Sequence, residues 1–161
     1  MNKHLRRVRE SLGESFVSDP RTGWRFIDDC GSFEITNPQR VSYLYLPLVN
    51  PLGMMSAITP NLNGDVKLDQ NTYLLLPVSA EDLHNTRSAR NFWVRINGEP
   101  WSVTGNSAEQ IRLNNSSLGE KVKLQAGFLW QTVERKHEKS GLVASVINFV
   151  PSSEDSVELM R

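Results

Sequence analysis

The sequence predicts an all-β protein: an antiparallel β-sandwich with one short N-terminal helix. Turn-forming Gly, Pro and Asn residues recur about every ten residues from Trp24 onward, as in antiparallel strands joined by short turns. Between these turns, apolar and polar residues alternate. Beyond the first segment there is neither helical periodicity nor a repeat of fixed length, so we expect two packed sheets.

The N-terminal segment has the apolar spacing of a short helix. Its apolar residues lie three or four positions apart: Leu5, Val8, Leu12 and Phe16. Asp19-Pro20 would end such a helix, because the residue before a proline avoids helical backbone angles. We therefore predict a helix and lead-in over residues 1–20 and a β-sandwich over residues 21–161, truncated at its C-terminus.

Several hairpins follow from local signals. Trp24–Ile27 and Ser32–Ile35 are predicted strands around a four-residue turn, and Tyr43–Leu46 is a predicted strand buried on both faces. Asn97-Gly98 favours a tight primed turn with Trp93 or Trp101 packing across it.

The C-terminal third has the clearest alternation. Residues 122–130 and 142–150 predict two long strands of one hairpin, joined by a turn at 136–141. An alternating strand begins at Val157 and the chain stops at Arg161, so we expect a fragment of a longer polypeptide.

Composition excludes several classes of function. The 18 basic and 18 acidic residues cancel, so nucleic acid is not an expected partner. No apolar run approaches the ~20 residues of a membrane span, and there is no secretory signal. Cys30 is the only cysteine, which excludes an internal disulfide and a cysteine-based zinc site and fits a reducing compartment. We expect a cytoplasmic protein without a membrane partner.

The most informative segment is a polar loop between two predicted strands, Asn71–Pro77 and Phe92–Ile96. It carries carboxylates, an imidazole, amides and two guanidinium groups: Glu81, Asp82, His84, Asn85, Arg87, Arg90 and Asn91. A loop fixed at both ends by buried strands is a common way to present binding groups. The residue types fit equally a solvated loop or a short helix capped by Ser79.

The chain shows no pattern typical of an independent catalyst. The three histidines have no other ligand-type residue at metal-site spacing, and no glycine-rich phosphate loop opens a helix, so no metal or cofactor is expected. Glu81 and Asp82 are adjacent and cannot face each other across a sugar. Trp24 and Trp130 are expected in the core, whereas Trp93 and Trp101 fit either the core or a sugar-stacking surface.

Seven sequence blocks between about Trp24 and Arg161 form a recognisable set: SFEITNPQ at 32–39, GMMSAITP at 53–60, GDVK at 64–67, PVSAEDLHNTRSARNFWV at 77–94, AGFLW at 126–130, INFVP at 147–151 and VELM at 157–160. Together they resemble the N-terminal region of inverting glycoside phosphorylases of the cellobiose and chitobiose phosphorylase family, and are most similar to 1,2-β-oligoglucan phosphorylases.

The resemblance implies a large, supersandwich-like β-sandwich that precedes a linker and an (α/α)₆ barrel. In that family the barrel supplies the catalytic acid, an Asp, while inorganic phosphate attacks the anomeric carbon and inverts it. We therefore expect this chain alone to be a non-catalytic portion without turnover. The expected partners of the full-length protein are a β-glucan oligosaccharide and inorganic phosphate, and we expect self-association.

By the same analogy, the polar loop reaches the mouth of the active site. Arg87 and Arg90 are the candidates for pairing with phosphate, and Asp82, His84 and Asn85 are the candidates for hydrogen bonds to sugar hydroxyls. A stand-alone carbohydrate-binding or interaction module is the alternative. A reading frame that continues past Arg161 into a helical barrel would distinguish the first interpretation from the second.

Overall fold

A computed structural model describes residues 22–41, 44–75, 89–114 and 116–161. These residues form antiparallel sheets with a single short α-helix, which confirms the predicted all-β, sandwich-like fold class. The predicted N-terminal helix over residues 1–20 lies outside the described residues.

The largest sheet has six strands and joins both ends of the described chain. Its strands, in spatial order, are β1 (Gly23–Phe26), β2 (Phe33–Thr36), β9 (Val122–Gly127), β10 (Trp130–Lys136), β11 (Val143–Phe149) and β12 (Leu159–Met160). All neighbours are antiparallel. Because β2 pairs directly with β9, the described segments between them form an insertion between two neighbouring strands.

That insertion contains two smaller sheets and the helix. The four-stranded sheet is β3 (Leu46–Val49), β4 (Met55–Ile58), β5 (Gly64–Lys67) and β6 (Tyr73–Leu75), and the two-stranded sheet is β7 (Trp93–Ile96) and β8 (Glu99–Ser102). A six-residue helix, α1 (Ala108–Leu113), follows. We expected two sheets, and the described residues form three.

The core lies between the six-stranded and the four-stranded sheets. Period-2 alternation places Leu124, Val133 and Val146 on the inner face of the larger sheet, where they join one buried cluster with Leu48 and Ile58. Trp101 of β8 enters the same cluster. The packing of the three sheets on one core fixes the positions of the polar groups described below.

The two hairpins predicted from turn chemistry are confirmed. β1 and β2 flank the turn at residues 28–31, where the Asp28 carboxylate accepts hydrogen bonds from the backbone N–H groups of Cys30 and Ser32. β7 and β8 are joined by Asn97 and Gly98 alone, with φ angles of 51° and 89°. Positive φ at both central residues identifies the primed turn that Asn-Gly favours. Trp101, rather than Trp93, packs inward from this hairpin.

One prediction about the C-terminal strands is wrong. Residues 122–130 are two strands instead of one, because the chain reverses at Phe128 and Leu129, so that Gly127 pairs with Trp130. Leu129 adopts a φ of 63°, a backbone angle that glycine or asparagine usually occupies. The residue type at this position therefore does not indicate a turn. The turn predicted near 136–141 is confirmed. The strand expected from Val157 is present only as the two-residue β12, and it does not alternate, because both of its residues are exposed.

Three further expectations also need correction. The helix α1 is present although no helical segment was expected after the first one; its Ser107 cap and Gln110 form a reciprocal capping box. The strand expected at 43–46 begins at Leu46 and is exposed at Pro47 and Val49, so it is not buried on both faces. The strands that flank the polar loop are largely exposed rather than buried, with β6 facing solvent at Tyr73 and Leu74.

Candidate functional site

Only one of the five predicted contact residues belongs to the described part of the chain. Asp82, His84, Asn85 and Arg87 lie outside the described residues. Arg90 is described, and its backbone N–H donates to the carbonyl oxygen of Leu62 at 3.1 Å. The candidate site is therefore built outward from Arg90.

The Arg90 guanidinium forms a buried, two-point ion pair with Glu158. Its Nε lies 2.7 and 3.0 Å from the two carboxylate oxygens, and its Nη2 lies 2.6 Å from Oε2. The side chains are only 8% and 12% exposed. The planar fork of arginine matches a carboxylate in this geometry. Arg90 is thus an anion-pairing residue here, and the anion is a carboxylate of the same chain.

Further polar groups surround this pair on the inner faces of both large sheets. Nη2 of Arg90 also donates to Ser56 Oγ of β4 at 2.8 Å. On β11, Asn148 Nδ2 donates to Glu158 Oε1 at 3.1 Å. Gln131 of β10 is the register partner of Asn148 and is likewise fully buried. We call Arg90, Glu158, Ser56, Asn148 and Gln131 the Arg90 cluster.

Two amides of the Arg90 cluster are incompletely paired. Among the described residues, neither Nε2 nor Oε1 of Gln131 has a hydrogen-bond partner, and Asn148 Oδ1 has none. Buried polar atoms without partners are rare in folded proteins because their desolvation is uncompensated. The cluster therefore has hydrogen-bonding capacity that the ion pair does not use.

A second polar contact lies near Arg90 on the four-stranded sheet. The Tyr45 hydroxyl donates to Asp65 Oδ1 at 3.1 Å. Burial raises the pKa of this hydroxyl above its ordinary value, the nearby Asp65 carboxylate adds to the rise, and the positive charge of Arg90 opposes it. Tyr45 is therefore a neutral donor at physiological pH.

The four tryptophans divide between core and surface. Trp101 is 5% exposed, and its Nε1 donates to Glu120 at 2.7 Å. Trp24 and Trp130 were expected in the core, but both are only half-buried and neither belongs to the buried core cluster. Trp93 is 47% exposed and follows the exposed Phe92. Trp93 and Trp101 were each expected either in the core or on a sugar-stacking surface. Trp101 belongs to the core, whereas Trp93 has an accessible ring.

A groove of about 290 Å³ lies between α1 and the β10–β11 turn. At its base the Glu120 carboxylate accepts hydrogen bonds from Trp101 Nε1, from Gln110 Nε2 at 2.8 Å and from Arg135 Nη1 at 3.1 Å. The His137 ring packs on Trp101 with centroids 5.3 Å apart. The Glu120 carboxylate thus accepts hydrogen bonds from α1, β8 and β10, and these bonds attach the helix and the two-stranded sheet to the large sheet.

Arg135 is the most deeply buried charge of the groove. Its side chain is 1% exposed and its Nη2 donates to Asn61 Oδ1 at 3.1 Å. Burial lowers the pKa of the Arg135 guanidinium, and the Glu120 carboxylate opposes that shift. Because arginine stays charged in proteins, Glu120 supplies the compensating charge.

Metal chemistry has no candidate centre in the part of the chain that the structure describes, since no three His, Cys, Asp or Glu side chains come together there. No helix within the described ranges is long and apolar enough to cross a membrane.

No family model matches the chain, and no curated protein matches it. The site has to be interpreted from its own geometry.

Sequence reasoning missed most of the Arg90 cluster. Gln131 and Asn148 occupy inward positions of alternating strands, next to the buried Val133 and Val146. A polar residue at an inward position of such a strand is the signal that could have found them. Glu158 gave no such signal, because it pairs with a residue 68 positions away.

Proposed function

We propose that this chain is the non-catalytic β-sandwich portion of a glycoside phosphorylase that cleaves β-glucosides with inorganic phosphate, and that it contributes a carbohydrate-contacting surface. The observation that carries the proposal is the exposed ring of Trp93, which follows the exposed Phe92 in the sequence. Aromatic rings offer apolar contact area at little entropic cost, which suits the faces of sugar rings. The sequence resemblance and the all-β fold support the same assignment.

The backbone around this pair is held firmly. The Phe92 carbonyl accepts a hydrogen bond from Val103 N–H at 2.9 Å, and two residues earlier the Arg90 side chain is locked by Glu158. A fixed backbone beneath an exposed ring lowers the ordering cost of binding. The predicted sugar-contact residues Asp82, His84 and Asn85 precede this segment in the sequence and remain predictions, as does Arg87.

Binding of a 1,2-β-glucan oligosaccharide to the full chain, measured by calorimetry, tests the proposal. We expect Trp93→Ala to weaken binding about tenfold, which corresponds to one stacking contact of about 1.4 kcal/mol. Phe128→Ala is the matched control, because Phe128 is an even more exposed aromatic residue at the β9–β10 turn. Equal losses in both variants, or no binding by the unmodified chain, would contradict the proposal.

Three accompanying proposals have separate tests. Incubation with a β-glucoside and phosphate should give no product from this chain alone, since the family's catalytic acid lies in a barrel. We propose a cytoplasmic location, which fractionation of cells checks. Self-association through the β12 edge, beside the exposed Leu159, should appear as concentration-dependent sedimentation.

A further inference from the structure

The chain contains two Asn-Gly pairs, and the fold places them in opposite surroundings. Asn63-Gly64 stands at the start of β5, where Asn63 is 3% exposed and Gly64 is buried. Asn97-Gly98 forms the two-residue turn between β7 and β8, and both of its residues are exposed. The two pairs therefore have the same local chemistry and very different access to water.

An asparagine that precedes glycine can react with its own main chain. The backbone nitrogen of the glycine loses its proton and attacks the side-chain amide carbon, so that a cyclic succinimide forms while the bond to Nδ2 breaks and ammonia leaves. Water then opens the ring: addition at the side-chain carbonyl gives aspartate, and addition at the backbone carbonyl gives isoaspartate. Glycine favours ring closure because it has no Cβ to hinder the attack.

The exposed turn gives both reacting groups the room to meet. The last paired residues of the hairpin are Ile96 and Glu99, so the Gly98 N–H lies beyond the end of the ladder. A Cβ at Gly98 would meet nothing within 4 Å, which leaves open space beside the attacking nitrogen. Ring closure requires rotation about the Asn97 backbone, and at a hairpin tip such a rotation disturbs only the terminal pair.

The interior pair has no comparable freedom. The Asn63 N–H donates to Thr59 Oγ1 at 3.2 Å, and the Asn63 carbonyl oxygen accepts from the Thr59 N–H at 2.8 Å. A Cβ at Gly64 would lie 1.8 Å from the Ala57 carbonyl oxygen, so backbone atoms already fill the space beside this glycine. Rotation of Asn63 would break these contacts and separate β5 from β4.

We propose that Asn97 is a modification site of this protein, where spontaneous deamidation through a succinimide gives a mixture of aspartate and isoaspartate, while Asn63 stays intact in the folded chain. The overall reaction consumes one water, replaces the side-chain amide by a carboxylate and releases one ammonium ion. It requires no enzyme and no oxidant. It adds one negative charge to a chain whose 18 basic and 18 acidic residues cancel.

The isoaspartate product changes the hairpin itself. Its main chain contains an additional methylene group, so it no longer fits the primed turn that Asn-Gly specifies. The pairing of Ile96 with Glu99 is affected first, because these residues flank the turn. The reaction involves neither carbohydrate nor phosphate, so its test is independent of the proposed function.

Incubation of the full chain in mildly alkaline buffer, followed by trypsin digestion and mass spectrometry, tests the proposal. Asn63 and Asn97 fall in separate tryptic peptides, 41–67 and 96–112, and fragmentation distinguishes Asn97 from Asn106 and aspartate from isoaspartate. We expect deamidation of Asn97 to be about tenfold or more faster than that of Asn63, a difference of about 1.4 kcal/mol in activation free energy. In concentrated urea the two rates should converge, because the same dipeptide is then exposed at both positions.

Asn97→Gly is the matched control variant. Glycine also adopts the positive φ of this turn but has no side-chain amide to react. The amide resonances of Ile96 and Glu99 should stay unchanged during storage of this variant. In the unmodified chain a second set of these resonances should grow as isoaspartate accumulates.

The comparison within the unmodified chain decides the proposal even if the variant does not fold. Equal rates at Asn63 and Asn97 in the folded chain would overturn it. So would a folded-chain rate at Asn97 as low as that of Asn106, whose side-chain amide is held by the Asn61 carbonyl oxygen at 2.8 Å.

Discussion

Two arginine–glutamate pairs of this protein have nearly the same length and very different surroundings. Arg90 and Glu158 are 2.6 Å apart with side chains 8% and 12% exposed, whereas Arg112 and Glu109 are 2.8 Å apart with side chains 66% and 64% exposed. Water screens the second pair and hardly reaches the first. The comparison teaches that burial, rather than distance, determines how much an ion pair contributes to the stability of the fold. Glycines, glutamates and glutamines of the chain can be compared in the same way, one buried and one exposed.

The largest expected contrast is between two glycines. A Cβ at Gly64, the first residue of β5, would lie 1.8 Å from the Ala57 carbonyl oxygen, whereas a Cβ at Gly98 would meet nothing within 4 Å. We expect Gly64→Ala to lower the free energy of unfolding by more than about 4 kcal/mol, because backbone atoms must separate. Gly98→Ala should cost only the left-handed backbone strain of about 1–2 kcal/mol.

Urea unfolding of the two glycine variants provides the measurement. A similar loss in both would mean that burial of the β4–β5 pairing does not control this position.

The next contrast is between two glutamates that pair with arginine. Glu120→Ala leaves the Arg135 guanidinium, 1% exposed, without a compensating charge, and we expect a loss of about 3–5 kcal/mol in the free energy of unfolding. Glu109→Ala at the exposed pair should leave the unfolding midpoint unchanged. Circular dichroism during urea unfolding compares them, and an undisturbed Glu120→Ala protein would contradict the structural role assigned to Glu120.

Two glutamines give a smaller contrast of opposite sign. Gln131→Met removes two buried, unpartnered polar atoms at nearly constant volume, so we expect it to stabilise the fold by about 1–3 kcal/mol. Gln125→Met removes a glutamine that donates to Glu34 at 2.8 Å on the outer face of the same sheet, and should not stabilise. Thermal unfolding decides: destabilisation by Gln131→Met would show that its amide is already satisfied.

The smallest effect concerns the pH dependence of the outer face. The hydrogen bond from Gln125 and the ion pair with Arg25 lower the pKa of Glu34. A lowered folded-state pKa contributes stability above the unfolded-state pKa, and this contribution is lost as the pH falls through the folded-state value. Gln125→Met should therefore raise the pKa of Glu34 and reduce stability at neutral pH, but not at strongly acidic pH.

An NMR titration of the Glu34 carboxyl carbon measures that shift. An unchanged midpoint in the variant would assign the lowered pKa to Arg25 instead.

Local features of the fold could be predicted from the sequence, and long-range ones could not. Asn97-Gly98 specifies its hairpin because two neighbouring residues determine the turn type. The turn at Leu129 has no turn-forming residue that would specify it. The helix α1 is too short to show an apolar stripe, although its Ser107–Gln110 capping box was present in the sequence.

The candidate site shows the same limit. Arg90 was a candidate phosphate contact by the resemblance, and that assignment stays a prediction; in the structure its guanidinium pairs with the Glu158 carboxylate. Its partner could not be predicted, because Glu158 is 68 positions away in the sequence and lies beside a strand that pairs with β11. Contacts of that kind depend on strand order, which no local pattern encodes.

The insertion of the smaller sheets between β2 and β9 has a consequence for the order of folding. The hairpins β9–β10 and β10–β11 close through short turns, whereas Asn37 meets Val122 only after a separation of 85 residues. Closing so long a loop costs more conformational entropy than closing a short turn. The C-terminal hairpins should therefore gain protection from amide exchange before the β2–β9 seam does. We therefore expect the seam to form after these two hairpins during refolding.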